Sequence, residues 1–157
     1  MVVKNICQVI SFSEAKNILA KLQFFGNESI ADDFINEIHI LSIAKRLGKE
    51  VQFLPISNWD EFEAGRIDIL PEQLVDVCFR GLEYHDEKLI IITMESYTSK
   101  KVFLVDFVHY VEFANTYDSY LCENIDFVQP ADYIFLLLNQ KIVVYIHHDG
   151  MFAHIKF

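Results

Sequence analysis

Residues 133–157 read YIFLLLNQKIVVYIHHDGMFAHIKF, and this stretch decides the fold class. Three β-rich runs, 133–138, 141–147 and 151–157, are separated by Asn139-Gln140 and Asp149-Gly150. Both residues of an Asp-Gly pair tolerate positive φ, the mark of a two-residue hairpin loop. The spacing predicts a three-stranded antiparallel meander.

That loop also predicts a register. His147 would face Phe152, Ile146 would face Ala153 and Tyr145 would face His154. Side chains alternate between faces along a strand, so one face would carry Ile142, Val144, Ile146, Met151, Ala153, Ile155 and Phe157. This is a core face. The other would carry Val143, Tyr145, His147, Phe152, His154 and Lys156, with the two histidines diagonal and about 5–8 Å apart. Two imidazoles can start a metal site or an acid–base pair, but zinc wants four ligands, or three and a water. Spacing places no third ligand, so no metal site is complete. The plainer readings are a half-exposed strand face, or a contact patch in which Tyr145, His147, Phe152 and His154 meet a partner.

Upstream of the meander, Lys88–Met94 is β-branched and apolar and reads as a strand buried on both faces. Val102–Val105 reads as a second strand, reached through a polar turn at Ser96–Lys101. Residues 107–121 are ambiguous. Apolar residues at 107, 110, 111, 114, 117 and 121 fit one helical face, whereas the Val, Tyr and Phe content favours a strand. The helix is preferred because Ala114 to Cys122 would continue a strand poorly.

Two helices are expected nearer the N-terminus. Ser11 and Glu14 can form a capping box, followed by a helical stripe to Phe25 and a terminating Gly26. Ser29 would open the second, with Asp32 and Asp33 in its first turn and Lys45 and Arg46 in its last. Val51–Ile56 reads as a short strand. A brief helix ends at Gly65, and another lies between Pro71 and Gly81. The resulting fold class is α+β, one domain over residues 1–157. Two N-terminal helices pack on an antiparallel sheet ending in the C-terminal meander, and the middle helices close an end or flank.

The composition agrees. Of 157 residues, 52% are hydrophobic and 23% charged, too apolar for a disordered chain. A domain of this size buries about two-thirds of the surface its unfolded chain exposes. Fourteen Phe and seven Tyr can supply a dense core without disulfide or metal. The longest apolar run, Ile134–Leu138, is far short of the roughly 20 residues of a membrane span. Cys7, Cys78 and Cys122 form no CxxC pair, and the opening residues lack a secretory pattern. Reduced thiols in a cytoplasmic protein are the simplest reading.

Motifs for catalysis and cofactors are missing: no GxxxxGK, GxGxxG, GxSxG or HExxH. No cofactor is expected. His85-Asp86 is an adjacent HD pair of the kind metal-dependent phosphohydrolases use, but those enzymes need further His and Asp residues on neighbouring helices. Here the pair lies in the polar stretch Glu83–Lys88 and reads as solvated loop.

Charge is the remaining signal. Thirteen Lys and Arg stand against 23 Asp and Glu, a net charge of −10. Residues 55–87 hold nine acids and two arginines, hence −7; residues 102–140 hold six acids with no Lys or Arg, hence −6; the rest sums to +3. The sign is wrong for gripping a nucleic-acid backbone. Acids also keep an aromatic-rich chain soluble. As a functional feature, they suit docking of a basic protein, since opposite potentials steer encounter. Asp106, Glu112 and Asp118 would meet its cations, and Tyr110, Tyr117 and Tyr120 would serve as aromatic anchors. The expectation is therefore a non-enzymatic acidic protein-binding domain, of the type of inhibitor or immunity proteins that neutralise basic, nuclease-like toxins. Neither nucleic acid nor membrane is expected as a partner. The alternative is a metal-assisted hydrolase using the His147/His154 strand face.

Overall fold

The structure is a computed structural model that describes residues 6–31, 37–121 and 124–157. Its strands are β1 (Gln8–Ser11), β2 (Leu54–Pro55), β3 (Lys88–Ile92), β4 (Lys101–Asp106), β5 (Tyr133–Leu137), β6 (Ile142–His147) and β7 (Met151–Lys156). They form one seven-stranded sheet of order β1-β4-β3-β5-β6-β7-β2. Every neighbouring pair is antiparallel. The meander β5-β6-β7 is as the turns implied, and the α+β class stands. β1 was not anticipated. The 51–56 strand shrinks to an edge strand of two residues ending in Pro55, a position where a missing N–H costs little.

The last hairpin departs from the expected register by one residue. His147 pairs with Met151, Ile146 with Phe152 and Val144 with His154. The loop has three residues, His148, Asp149 and Gly150, closed by the Gly150 N–H donating to the His147 carbonyl at 2.9 Å. Gly150 sits at φ +87°, the left-handed position that ends such loops. Contacts from outside the hairpin favour this form. Trp59 Nε1 donates to the His148 carbonyl at 2.9 Å, and Ile56 N–H donates to the Gly150 carbonyl at 2.8 Å. A Cβ on residue 150 would come within 2.4 Å of the Trp59 side chain. A one-residue slip moves side chains to the opposite face. His147 and His154 therefore lie on opposite faces of the sheet, not on one.

The sheet is covered on both sides, which explains why its central strands are apolar at successive positions. On one face, Leu89, Ile91, Phe103, Val105, Tyr133, Phe135, Leu137, Val144, Ile146 and Phe152 join a core with α3 (Trp59–Glu63), α4 (Pro71–Cys78) and α6 (Tyr110–Asn115). On the other, Ile90, Ile92, Val102, Ile134, Leu136, Val143, Tyr145 and Ile155 pack beneath α1 (Phe12–Lys21) and α2 (Glu37–Arg46). Of the two expected places for the middle helices, an end or a flank, they take the flank, as a full second layer.

Local signals account for the helices. Ser11 caps α1, its Oγ accepting from Glu14 N–H at 3.1 Å, while the Glu14 carboxylate takes the Ser11 hydroxyl at 3.2 Å. Pro71 begins α4, where its missing N–H would have had no helical partner. Ser29 does not open a helix; α2 is described from Glu37, and Asp32 and Asp33 lie outside the described residues. The expected polar turn before β4 is a short helix, α5 (Met94–Ser99), capped by Thr93 and ended by Lys100 at φ +59°. Residues 107–119 are helical apart from a turn at Thr116, as α6 flanked by 3-10 turns at Phe107–His109 and Tyr117–Ser119, and 120–121 leave the helix.

Candidate functional site

The two acid-rich stretches, distant in sequence, build the same layer. Residues 55–87 supply α3 and α4, and residues 102–140 supply α6 and the loop after it. The Tyr110 hydroxyl ties them together by donating to the Pro71 carbonyl at 2.9 Å. Outward from this layer stand Asp60, Glu61 and Glu63 on α3, Asp68 before α4, Glu72 and Asp76 on α4, and Glu112, Asp118 and Asp126, all exposed. Arg66, itself largely exposed, pairs with Glu61 at 3.4 Å. Not every acid contributes to the field. Glu87 is buried and accepts from Lys88 N–H at 3.0 Å, Asn139 N–H at 2.7 Å and Gln140 Nε2 at 3.1 Å. It serves as a clip between β3 and the β5–β6 turn.

Where α3, the start of α4 and the end of α6 converge, the layer opens into a cleft of about 270 Å³. Its lining is mixed: Phe62, Ile69, Leu70, Pro71, Ala114, Phe127 and Val128 supply apolar surface, and Asp68, Asn115 and Asp126, all exposed, supply polar surface. Leu70 is 54% exposed although fully apolar. Apolar walls beside carboxylates match a Lys or Arg side chain, which carries a hydrocarbon stem behind its charge.

The expected docking residues divide sharply. Asp106, Glu112 and Asp118 are exposed. Tyr110 and Tyr117 are buried, and they are not surface anchors. Tyr117 donates to Glu95 Oε1 at 2.8 Å and lies 2.6 Å from Thr93 Oγ1. Burial pushes the phenols of Tyr110, Tyr117 and Tyr120 above their ordinary range. The helical spacing that aligned these rings also aimed them at the sheet. Tyr120, half-buried, packs against Phe103 and Phe113. Tyr145 is buried on the opposite face against Phe53, and Phe152 is buried under the acidic layer. His154 is part of the frame, its Nε2 donating to the Cys78 carbonyl at 2.5 Å. The hydrolase alternative rested on a shared face for His147 and His154 that the register does not supply.

His147 has other company. The pairing of Tyr133 with Ile146 brings Asp132 alongside the β6–β7 turn. Asp132 Oδ1 accepts the His148 N–H at 2.8 Å and lies 3.0 Å from His148 Nδ1. Asp149 lies 3.5 Å from both His147 Nδ1 and His148 Nε2. The two rings are 4.1 Å apart at their centroids. Sequence reading missed Asp132 and His148 because the first is fixed by the β5–β6 register and the second by loop length. The doubled histidine before Asp-Gly was the available signal. His85 and Asp86 are exposed in their loop, as expected of a solvated pair. Cys7 and Cys78 are free, and burial pushes both thiols up to about 12, which suppresses the reactive thiolate. Cys122 lies outside the described residues.

No protein-family model matches the chain, and comparison with curated proteins and with solved structures found no similar protein. Among the described residues, no helix is long and apolar enough to cross a membrane.

Proposed function

We propose that this chain is a non-enzymatic binding domain that docks a basic protein on its acidic helical layer. The observation that carries the reading is the convergence of two separate acid-rich stretches on one side of the sheet, around a cleft lined by both apolar side chains and carboxylates. Scattered acids would serve solubility equally well; acids gathered on one layer create a field with a direction, which steers a cationic partner. The cleft adds short-range fit to that long-range attraction. The partner class is a nuclease-like toxin, whose cations normally meet phosphates and would here meet carboxylates. The mode is inhibition by occupation, as in an immunity protein working in the cytoplasm.

The test uses a basic nuclease domain captured from the native cell and the variant Asp68→Lys/Glu112→Lys/Asp126→Lys. The wild type should associate faster as ionic strength falls and should block nucleic-acid cleavage. The triple variant should associate at least about tenfold more slowly, lose most of the salt dependence and fail to block cleavage. An unchanged association rate in the variant would reject the acidic layer as the docking surface.

A further inference from the structure

We infer that the β6–β7 turn and Asp132 form a binding site for one divalent transition-metal ion of the zinc class. The ligands are the Asp132 carboxylate and the imidazoles of His147 and His148. One ligand atom from each of the three lies within 4.8 Å of the others. Donors bound tetrahedrally at about 2.0–2.1 Å from zinc are roughly 3.3 Å apart, so closure needs only a modest turn of side chains. His148, with 53% of its side chain exposed, has room to make it.

Three features distinguish this cluster from a chance gathering of polar groups. The first is its framework. The turn is held by Gly150 N–H on the His147 carbonyl, by Trp59 Nε1 on the His148 carbonyl and by Ile56 N–H on the Gly150 carbonyl. Asp132 is anchored at the entrance to β5 and also takes the His148 N–H. The ligands thus come from two strand ends whose relative position the sheet fixes. The second feature is a supply of further oxygen. Asp149, 3.5 Å from a nitrogen of each histidine, can complete four-fold coordination. The third is the donor chemistry. Two imidazoles with one or two carboxylates suit zinc and its first-row neighbours, whereas calcium and magnesium take oxygen-rich sets. Without metal, His148 Nδ1 hydrogen-bonds the Asp132 carboxylate and His147 Nδ1 accepts the Asp149 N–H at 3.1 Å; the ion would replace the first of these with coordination.

The inference does not depend on the docking proposal. The two touch through Trp59 and Ile56, which belong to the core of the acidic layer and bond the metal turn. Trp59 is the single tryptophan of the chain and bonds the turn directly, so with no docking partner present its fluorescence reports an ion bound there.

The experiment uses the full, tag-free chain, stripped with chelator and exchanged into chelator-free buffer, and titrated with zinc chloride by calorimetry. Binding should saturate at one zinc per chain. His148→Ala and Asp132→Asn should each weaken it by at least about tenfold, while His85→Ala should leave it unchanged. A parallel titration with copper(II) should quench Trp59 in the wild type and not in His148→Ala. His148 is exposed, so that variant keeps the fold and remains informative if Asp132→Asn unfolds. No saturable binding at one ion per chain would overturn the inference, as would equal affinity in wild type and His148→Ala. Displacement of zinc by millimolar calcium would overturn the assignment to a transition metal.

Discussion

The two helical layers cover opposite faces of one sheet, yet they differ in almost every respect. The layer of α1 and α2 uses longer helices, the first opened by the Ser11 cap, packs Leu19, Ile40 and Ile43 on the sheet, and carries Lys16, Lys21, Lys45 and Arg46 among its charges. The layer of α3, α4 and α6 uses short helices, and its core is aromatic. Phe79, Phe103, Tyr110, Phe113, Tyr117, Phe127, Tyr133 and Phe135 make a network of edge-on and tilted ring contacts. Short helices bury little surface each, and large rings compensate. That arrangement leaves the outward positions free of packing duty and able to carry acids. The comparison teaches that one layer is built as a cover and the other as a presenting surface held up by an aromatic base.

If the aromatic base supports its layer in this way, truncating it should cost most. Phe113→Ala is expected to lose about 4 kcal/mol of unfolding free energy, and Leu19→Ala under the opposite layer about 3 kcal/mol. Urea or guanidinium unfolding measures both; a larger loss from Leu19→Ala would reverse the contrast. A second pair compares turns. Gly150→Ala puts a Cβ against Trp59 in a left-handed backbone position and should cost about 3 kcal/mol. Gly26→Ala has the same backbone penalty at φ +65° with nothing within 4 Å, so it should cost about 1 kcal/mol. Similar losses at both sites would mean that the Trp59 contact does not hold the hairpin.

Alkaline pH sharpens the contrast further. Burial raises the phenols of Tyr110 and Tyr133, both in the aromatic base, while an unfolded tyrosine titrates near about 10. The native state then keeps protons that the unfolded state releases. Stability is fully present below that unfolded value and falls as pH rises beyond it, by up to about 1.4 kcal/mol per pH unit for each phenol. Melting temperature followed from pH 8 to 11 should drop steeply above about 10, and Tyr110→Phe should flatten the drop. A wild-type curve that stays level would place these hydroxyls in contact with water. The smallest effect belongs to the surface. Glu72→Gln on α4 and Lys16→Gln on α1 should each shift stability by no more than about 0.5 kcal/mol. The Glu72→Gln shift is the difference between relieved repulsion from neighbouring acids and the loss of an acid from the first turn of α4, and both terms should shrink in high salt.

Much of this was readable in residues. The meander followed from β-branched runs and turn pairs, α1 from Ser11 and Glu14, and α4 from Pro71. The helical reading of 107–121 followed from the spacing of its rings. The uneven charge was also plain, because counting acids needs no coordinates. The failures share a cause. The loop of the last hairpin was settled by Trp59 and Ile56, nearly a hundred residues upstream, and one residue of slip separated His147 from His154. Tyr110 and Tyr117 were offered as anchors because a helical stripe does not say which side faces water when both neighbours are acidic.

Local chemistry therefore determined the elements, their caps and the segments that carry charge, since each of these rests on neighbours along the chain. What only the tertiary structure decided is which faces meet. It placed the two acidic stretches on one layer, turned the tyrosines inward and brought Asp132 beside His147 and His148. Those outcomes depend on strand order and on a register set by long-range contacts, and no local pattern encodes either.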